Sequence, residues 1–281
     1  MNTKKEHEMK IEPRHSINIK RRQHLPTQKQ ASEELIKQEA YVQKSEDNYN
    51  NCMICASSLL YSTEQEKKEC YICHKTFYSN CECENGHYVC DACHEASAIA
   101  SFIPYLLSSD CRSPQRLFEQ VAALKGIHMH GPEHHMIVPC VLLTAYKNCG
   151  GDIDLEASLK EAVKRGGQVP GGTCGYWGVC GAVSGAGIYL SIITGSNPLN
   201  KEKWDIPMKL TSRCIDAIAA HKGPRCCKRT SRIAIKEATD FTAENFGIQM
   251  EDEFFSCTFM SKNRECIHDD CPYFPGGGVK A

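Results

Sequence analysis

Four closely spaced pairs of metal-binding residues between positions 52 and 93 constrain this chain more than any other feature. The pairs are Cys52-x2-Cys55, Cys70-x2-Cys73, Cys83-x3-His87 and Cys90-x2-Cys93. A Cys-x2-Cys turn lets two sulfurs hold one ion, and two such pairs complete a tetrahedral zinc site. The spacing therefore predicts a small module in which eight ligands bind two zinc ions.

Two pairings of these ligands are compatible with the spacing. In a sequential, zinc-ribbon-like pairing, the first and second pairs share one ion, and the third and fourth share the other. In a cross-braced pairing, the first pair joins the third and the second joins the fourth. Cys81 and His94 are a spare thiol and a spare imidazole that could replace a ligand, and rubredoxin-like iron is an alternative for a four-cysteine site. Since closed tetrahedral sites mostly hold a fold together, we expect a structural or docking role.

Cysteine usage and hydropathy together indicate where such a chain works. It has 19 cysteines in 281 residues and begins with a polar segment that lacks the apolar core of a signal peptide. An intracellular chain this rich in cysteine is better explained by metal or redox chemistry than by disulfides. No apolar run is long enough for a spanning helix, so we expect a cytoplasmic protein without a membrane partner. The net charge of -1 gives only weak support to a nucleic-acid partner.

The chain divides into three parts by composition and periodicity. Residues 1–48 are charged and predict a flexible tail, and residues 49–95 form the zinc module. Residues 96–281 predict one mostly α-helical domain. The predicted helices are Ala96–Leu107, one from Ser113-Pro114 to Gly126, one from about Tyr176, and Leu155–Arg165, Met208–His221 and Cys226–Phe246. The expected fold class is therefore mostly α, preceded by a zinc-ribbon-like or cross-braced two-metal module.

A glycine-rich segment, Gly171–Gly187, contains Cys174 and Cys180 among seven glycines. Glycine at this density is usually kept where a backbone turns sharply or approaches something closely. One interpretation is a backbone that lies against a sulfur-bound centre. The other is a Gly/Ala-rich helix packed tightly on a neighbour, with two inert buried thiols.

Cys226 and Cys227 follow Gly223-Pro224 at the start of a long helical pattern. A helix N-terminus and the neighbouring Arg225, Lys228 and Arg229 would lower a thiol pKa and favour the thiolate. Cys174 is expected in the same context, just ahead of its own helix. The candidate reactive thiols are therefore those of Cys174, Cys180, Cys226 and Cys227.

Three further cysteines, Cys257, Cys266 and Cys271, lie in a C-terminal segment that has almost no helical or strand pattern. An irregular backbone with soft ligands suits an iron–sulfur cluster. We expect the three sulfurs to converge on one centre, with the glycine-rich segment against it and Cys174 or Cys226 completing the ligand set. The spacing differs from the common ferredoxin patterns, so zinc or purely structural cysteines are alternatives.

The segment from His128 to His135 has four imidazoles and one carboxylate in eight residues. Such a cluster could bind a metal or shuttle protons, although surface histidines are also common.

Four segments of the chain resemble an uncharacterised cysteine-rich domain family of anaerobic bacteria and archaea. They are HGPEHHMIVPCVLLTAY, GGTCGYWGVCGAVSGAG, GPRCCKR and CTFMSKNRECIHDDCPYF. The resemblance covers about residues 50–281 and brings no established activity. Because relatives also occur joined to methyltransferase or radical S-adenosylmethionine modules, it implies a partner of one of these kinds.

A fainter resemblance links the chain to redox-active proteins that carry Gly-Cys-Ala-x-x-Gly followed by two more cysteines. This chain reads Cys180-Gly181-Ala182-x-x-Gly185, with the first two residues exchanged, and Cys226 and Cys227 are adjacent rather than spaced.

Together these features predict a metal-binding protein with two zinc ions and an iron–sulfur cluster, acting in redox or sulfur-transfer chemistry. Its partner would be a redox protein, a sulfur carrier or one of the enzymes implied by the resemblance. The alternative is a zinc-binding docking or nucleic-acid-binding protein whose other cysteines are structural.

Overall fold

The computed structural model describes residues 52–55, 57–124 and 126–276, together with the backbone but not the side chain of Ser97. The charged tail predicted for residues 1–48 lies outside the described residues.

The metal-binding module is built on a two-stranded antiparallel hairpin. Strand β1 is Leu59–Glu69 and strand β2 is Thr76–Cys83. Their register pairs Leu59 with Cys83 at one end and Glu69 with Thr76 at the other, with an irregularity between Tyr61 and Glu66. Strand β1 is rich in exposed charged residues and carries no alternating apolar pattern, so periodicity does not predict it.

The rest of the described chain is mostly helical, as the sequence predicted. The helices are α1 (Asp91–Leu107), α2 (Pro114–Ala122), α3 (His134–Asn148), α4 (Leu155–Gly166), α5 (Thr173–Tyr176), α6 (Gly181–Thr194), α7 (Ile206–Ala219) and α8 (Cys227–Phe246). The start of α2 follows local rules, because Pro114 occupies the first turn and the Ser113 hydroxyl accepts a hydrogen bond from the Arg116 amide. None of the described helices is long and apolar enough to cross a membrane.

Helix α3 is the centre of the domain, and the amphipathic patterns did not predict it. Every residue from His134 to Ala145 is buried, because α1, α2, α4, α6 and α8 all pack around it. A helix covered on all sides has no polar face, so its sequence lacks the 3.6-residue alternation that marks a surface helix. Cys140 lies within α3 and is fully buried.

The module and the helical domain are joined by a continuous helix and by side-chain contacts. The sequence placed the boundary between module and domain after residue 95. Helix α1 crosses this boundary, because it begins at Asp91, between Cys90 and Cys93. The Asn80 amide donates to the Tyr176 hydroxyl at 2.6 Å, and the Arg225 guanidinium donates to the Tyr61 hydroxyl at 2.9 Å. These contacts fix the orientation of the module on the domain.

The C-terminal segment after α8 is irregular, and most of its residues are at least partly exposed. Its only regular elements among the described residues are two short 3-10 helices, Met260–Lys262 and His268–Asp270. Met250 and Phe259 are buried against the helical core. Lys228 Nζ lies 5.0 Å from the centroid of the Phe259 ring, so this part of the segment lies against the N-terminal end of α8.

Candidate metal centres

The first candidate centre consists of Cys52, Cys55, Cys83 and His87, whose ligand atoms all lie within 4.8 Å of one another. Cys55 Sγ lies 3.7 Å from Cys83 Sγ, and His87 Nδ1 lies 3.2 to 3.8 Å from the three sulfurs. Metal–sulfur bonds of about 2.3 Å give a tetrahedral sulfur–sulfur edge of about 3.8 Å. The four side chains thus present one tetrahedral site, with His87 offering Nδ1.

The second candidate centre consists of Cys70, Cys73, Cys90 and Cys93. Cys73 Sγ lies 3.8 Å from Cys90 Sγ, again the edge of a tetrahedral site. The Cys90 amide donates to Cys70 Sγ at 3.3 Å, just as the His87 amide donates to Cys83 Sγ in the first centre. Amide donors of this kind orient ligating sulfurs and stabilise their thiolate form. Each of the two centres could therefore hold one metal ion.

The hairpin explains why the grouping is cross-braced rather than sequential. The first Cys-x2-Cys turn precedes β1, and the second forms the turn between β1 and β2. Antiparallel pairing brings Leu59 opposite Cys83, so the first turn meets the end of β2. At the other end, a bridge between Cys70 and Tyr88 brings the last Cys-x2-Cys pair to the second turn. Sequential pairing would require the turns at the two ends of β1 to meet.

Cys81, one of the two spare ligands, belongs to neither centre. Burial raises the pKa of its thiol, and it interacts with the Tyr61 hydroxyl. Its contact with Tyr61 lies within the hairpin, since the two residues pair across β1 and β2.

A cavity in the helical domain is lined by the sulfur-bearing residues Cys226, Cys257, Cys266 and Cys271. Three of them are the C-terminal cysteines that the sequence predicted to converge. The fourth is Cys226, which with Cys174 was a candidate to complete the ligand set. Among the described residues, no three of these sulfurs lie within 4.8 Å of one another. They share a cavity, but they are spread more widely than the ligands of the two module centres.

Donors and cations surround this four-cysteine cavity. The Arg229 amide donates to Cys226 Sγ at 3.5 Å, and the Phe259 amide donates to Cys257 Sγ at 3.4 Å. The side chains of Arg229 and Arg232 also line the cavity, and both residues are buried. Arg232 is held by two hydrogen bonds to the Glu119 carboxylate, at 2.6 and 2.8 Å. Positive charge is therefore fixed beside the sulfurs.

A family model, described as a family of unknown function (DUF5714), matches residues 102–274. The chain belongs to this family. No curated protein and no solved structure shows a significant similarity to the chain.

The DUF5714 region begins inside α1 and ends at Phe274, just after the last cavity cysteine. It therefore contains all of α2–α8 and the four-cysteine cavity, and it excludes the eight ligands of the module. The resemblance described from the sequence covers about residues 50–281. The family model matches only the helical part of that range, residues 102–274.

Two expectations for the thiols in the DUF5714 region are wrong. Burial raises the pKa of the Cys227 thiol to about 12, and burial likewise raises the pKa values of Cys226 and Cys180. The helix N-terminus and the nearby cations oppose this rise, but loss of solvent outweighs them. Cys174 does not precede a long helix, because it lies in the short α5 and is exposed. It is Cys180 that occupies the position before α6.

The glycine-rich segment does not lie against the four-cysteine cavity. All residues that line the cavity come from position 226 onwards. The glycines of α6 instead bring this helix close to its neighbours. A Cβ atom at Gly185 would lie 2.9 Å from Pro139 Cδ, and one at Gly187 would lie 2.6 Å from Thr211 Cγ2. Tight helix packing, the plainer of the two interpretations, explains them.

The four histidines of the segment from His128 to His135 lie in different surroundings. His130 Nε2 lies 3.1 Å from Asn263 Oδ1 and 3.0 Å from Glu265 Oε2. His135 contacts the Val169 carbonyl at 3.0 Å through Nδ1. His128 and Glu133 instead face His94 on α1, a grouping that spacing alone could not reveal. The sequence indicated Lys228 only as a cation near Cys227, but this residue is buried and donates to the His128 carbonyl at 2.9 Å.

Proposed function

We propose that the helical domain binds an iron–sulfur cluster in the four-cysteine cavity and exchanges electrons with a partner protein. The observation that carries this proposal is that four cysteines line one cavity, while no three of their sulfurs lie within 4.8 Å of one another. A cluster is larger than one ion and needs ligands at wider spacing. In the two module centres, by contrast, neighbouring sulfurs lie at the distances expected around one tetrahedral ion.

The surroundings of the cavity support a cluster as well. Thiolate-bound clusters carry negative charge, and their potential depends on hydrogen bonds to sulfur and on local charge. Backbone amides reach Cys226 and Cys257, while Arg229 and Arg232 supply cations. Cys257, Cys266 and Cys271 are partly exposed, so a bound cluster would lie close enough to the surface for electron exchange.

Electron transfer is favoured over sulfur transfer for two reasons. Cys226 lines the cavity with the three C-terminal cysteines, so a full set of four protein ligands is available and no iron need stay open. A sulfur relay also needs a reactive thiolate, yet burial raises the pKa values of Cys180 and Cys227. Cys174 is exposed and is the remaining candidate for a reactive thiol.

The module is proposed to hold two zinc ions as a structural unit. Both sites have four protein ligands and therefore no open position for substrate. Since Cys93 lies in the first turn of α1, a metal ion there would also fasten the start of this helix.

Anaerobic purification with iron, zinc and acid-labile sulfide analysis tests this proposal. We expect iron with matching sulfide, visible absorbance, and an electron paramagnetic resonance signal on reduction. Cys266→Ser and Cys271→Ser should lose most of the iron and sulfide, while the zinc bound by the module is retained. Cys111→Ser is the matched control, because Cys111 is also partly buried but lies outside the cavity.

A colourless protein without sulfide, in which zinc occupies the four-cysteine cavity, would contradict the proposal. The alternative of a docking protein with structural cysteines would then replace it.

A further inference from the structure

Three side chains from two parts of the fold meet beside the second module centre. His94 lies on the first turns of α1, His128 in the loop before α3, and Glu133 at the N-terminal end of α3. One ligand atom from each lies within 4.8 Å of the other two. His94 Nδ1 is 3.3 Å from Glu133 Oε2, and the two imidazole rings are 4.2 Å apart between centroids.

The atoms that face one another in this group have few polar partners. His94 Nδ1, His128 Nδ1 and Glu133 Oε2 are all buried, and beyond the 3.3 Å approach of His94 to Glu133 none of them has a well-formed hydrogen bond. Such atoms are costly to bury, and nearly all of them find a partner in native proteins. Here three of them converge on one small volume, although Glu133 is fully buried and the two imidazoles are only 20% and 12% exposed.

The remaining contacts hold the group in place. The other Glu133 oxygen, Oε1, accepts a hydrogen bond from the His128 amide at 3.1 Å. Lys228 donates to the His128 carbonyl and interacts with His134 Nε2 at 3.1 Å. A Cβ atom at residue 131 would lie 2.0 Å from Glu133 Oε2, so Gly131 leaves the space that the carboxylate occupies. Backbone and side chains thus orient Glu133 and His128 towards His94.

We propose that His94, His128 and Glu133 form a third metal site, which binds a divalent transition-metal ion through two imidazoles and one carboxylate. Metal–nitrogen and metal–oxygen bonds of about 2.1 Å give a tetrahedral edge of about 3.4 Å, close to the 3.3 Å between His94 and Glu133. Nitrogen and oxygen ligands of this kind suit zinc or ferrous iron.

This third site differs in kind from the two module centres. It offers three protein ligands rather than four, and none is a thiolate. Three-ligand sites leave a coordination position for water or for an oxygen or nitrogen atom of a substrate, and such sites act as Lewis acids. Both imidazoles are partly exposed at their outer edges. The ligand class is therefore a small molecule with an oxygen or nitrogen donor.

Cobalt binding to the full-length protein tests the third site separately from the cysteine sites. The protein is first loaded with two equivalents of zinc, and cobalt is then titrated under anaerobic conditions. We expect one cobalt ion whose d–d absorption has no thiolate-to-cobalt charge transfer, because no sulfur is among the ligands. Cobalt in the four-cysteine cavity would be distinguished by strong charge transfer.

Glu133→Gln and His128→Gln should each abolish this sulfur-free cobalt signal and lower the total metal content by one ion per chain. Retention of the two zinc ions, measured by mass spectrometry of the metals, shows that each variant is folded. His135→Asn is the matched control, because His135 is a neighbouring buried histidine that contacts a backbone carbonyl instead. If the wild type binds no such ion, or if both variants bind it as the wild type does, the third site is disproved.

Discussion

Cys93 and His94 are adjacent in the first turns of α1, yet their side chains serve different groups. The Cys93 sulfur belongs with Cys70, Cys73 and Cys90, while His94 Nδ1 lies 3.3 Å from Glu133 Oε2. Successive residues on a helix point about 100° apart, so one turn can supply ligands to two neighbouring centres. The start of α1 therefore connects the module with the core of the helical domain.

Replacing a cysteine of the first module centre should remove one metal ion and loosen the module. Cys83→Ser takes one sulfur from the group of Cys52, Cys55 and His87. Metal binding supplies on the order of 10 kcal/mol to small sites of this kind, so amide exchange in β1 and β2 should become much faster. Cys81→Ser is the matched control, since Cys81 lies two residues away in β2 and outside both centres. Equal metal loss in both variants would refute the ligand grouping.

Adding one methyl group at Gly185 should destabilise the helical domain. In an exposed helix, Gly→Ala stabilises by about 1 kcal/mol. At Gly185 the new Cβ atom would lie 2.9 Å from Pro139 Cδ and 3.0 Å from the His135 carbonyl oxygen. We expect Gly185→Ala to lower the free energy of unfolding by about 1–3 kcal/mol, measured by urea denaturation.

Gly175→Ala is the control for this change, because Gly175 is also helical and a Cβ atom there meets nothing within 4 Å. It should leave the free energy of unfolding unchanged or slightly raised. A Gly185→Ala protein as stable as the Gly175→Ala protein would show that α3 and α6 are not in close contact.

The Cys227 thiol should react slowly with alkylating reagents at neutral pH. Burial raises its pKa to about 12 from an ordinary value of 9.0, which reduces the thiolate fraction about a thousandfold. Alkylation of Cys227 should therefore keep accelerating as the pH rises above 9, and mass-mapped labelling at limiting reagent measures this. The exposed Cys174 serves as the internal reference for labelling. Cys227 labelling that reaches its plateau below pH 9 would contradict the burial argument.

The sequence predicted the features that depend on local spacing. The eight module ligands follow from Cys-x2-Cys turns, which fix two donor atoms whatever the rest of the chain does. The start of α2 follows from Ser113 and Pro114, because capping and a preset φ angle act within one turn. The mostly helical fold class follows from apolar periodicity summed over many residues.

The tertiary structure decided the features that depend on which distant segments meet. Cross-braced pairing follows from the register that places Leu59 opposite Cys83, and the spacing of the pairs allowed either arrangement. The raised pKa of Cys227 follows from burial by the fold, whereas the sequence displayed only its helix position and neighbouring cations. The meeting of His94 with Glu133 depends on the packing of α1 against α3. Spacing fixes donors within one turn, but only long-range packing determines solvent access and which donors converge on one point.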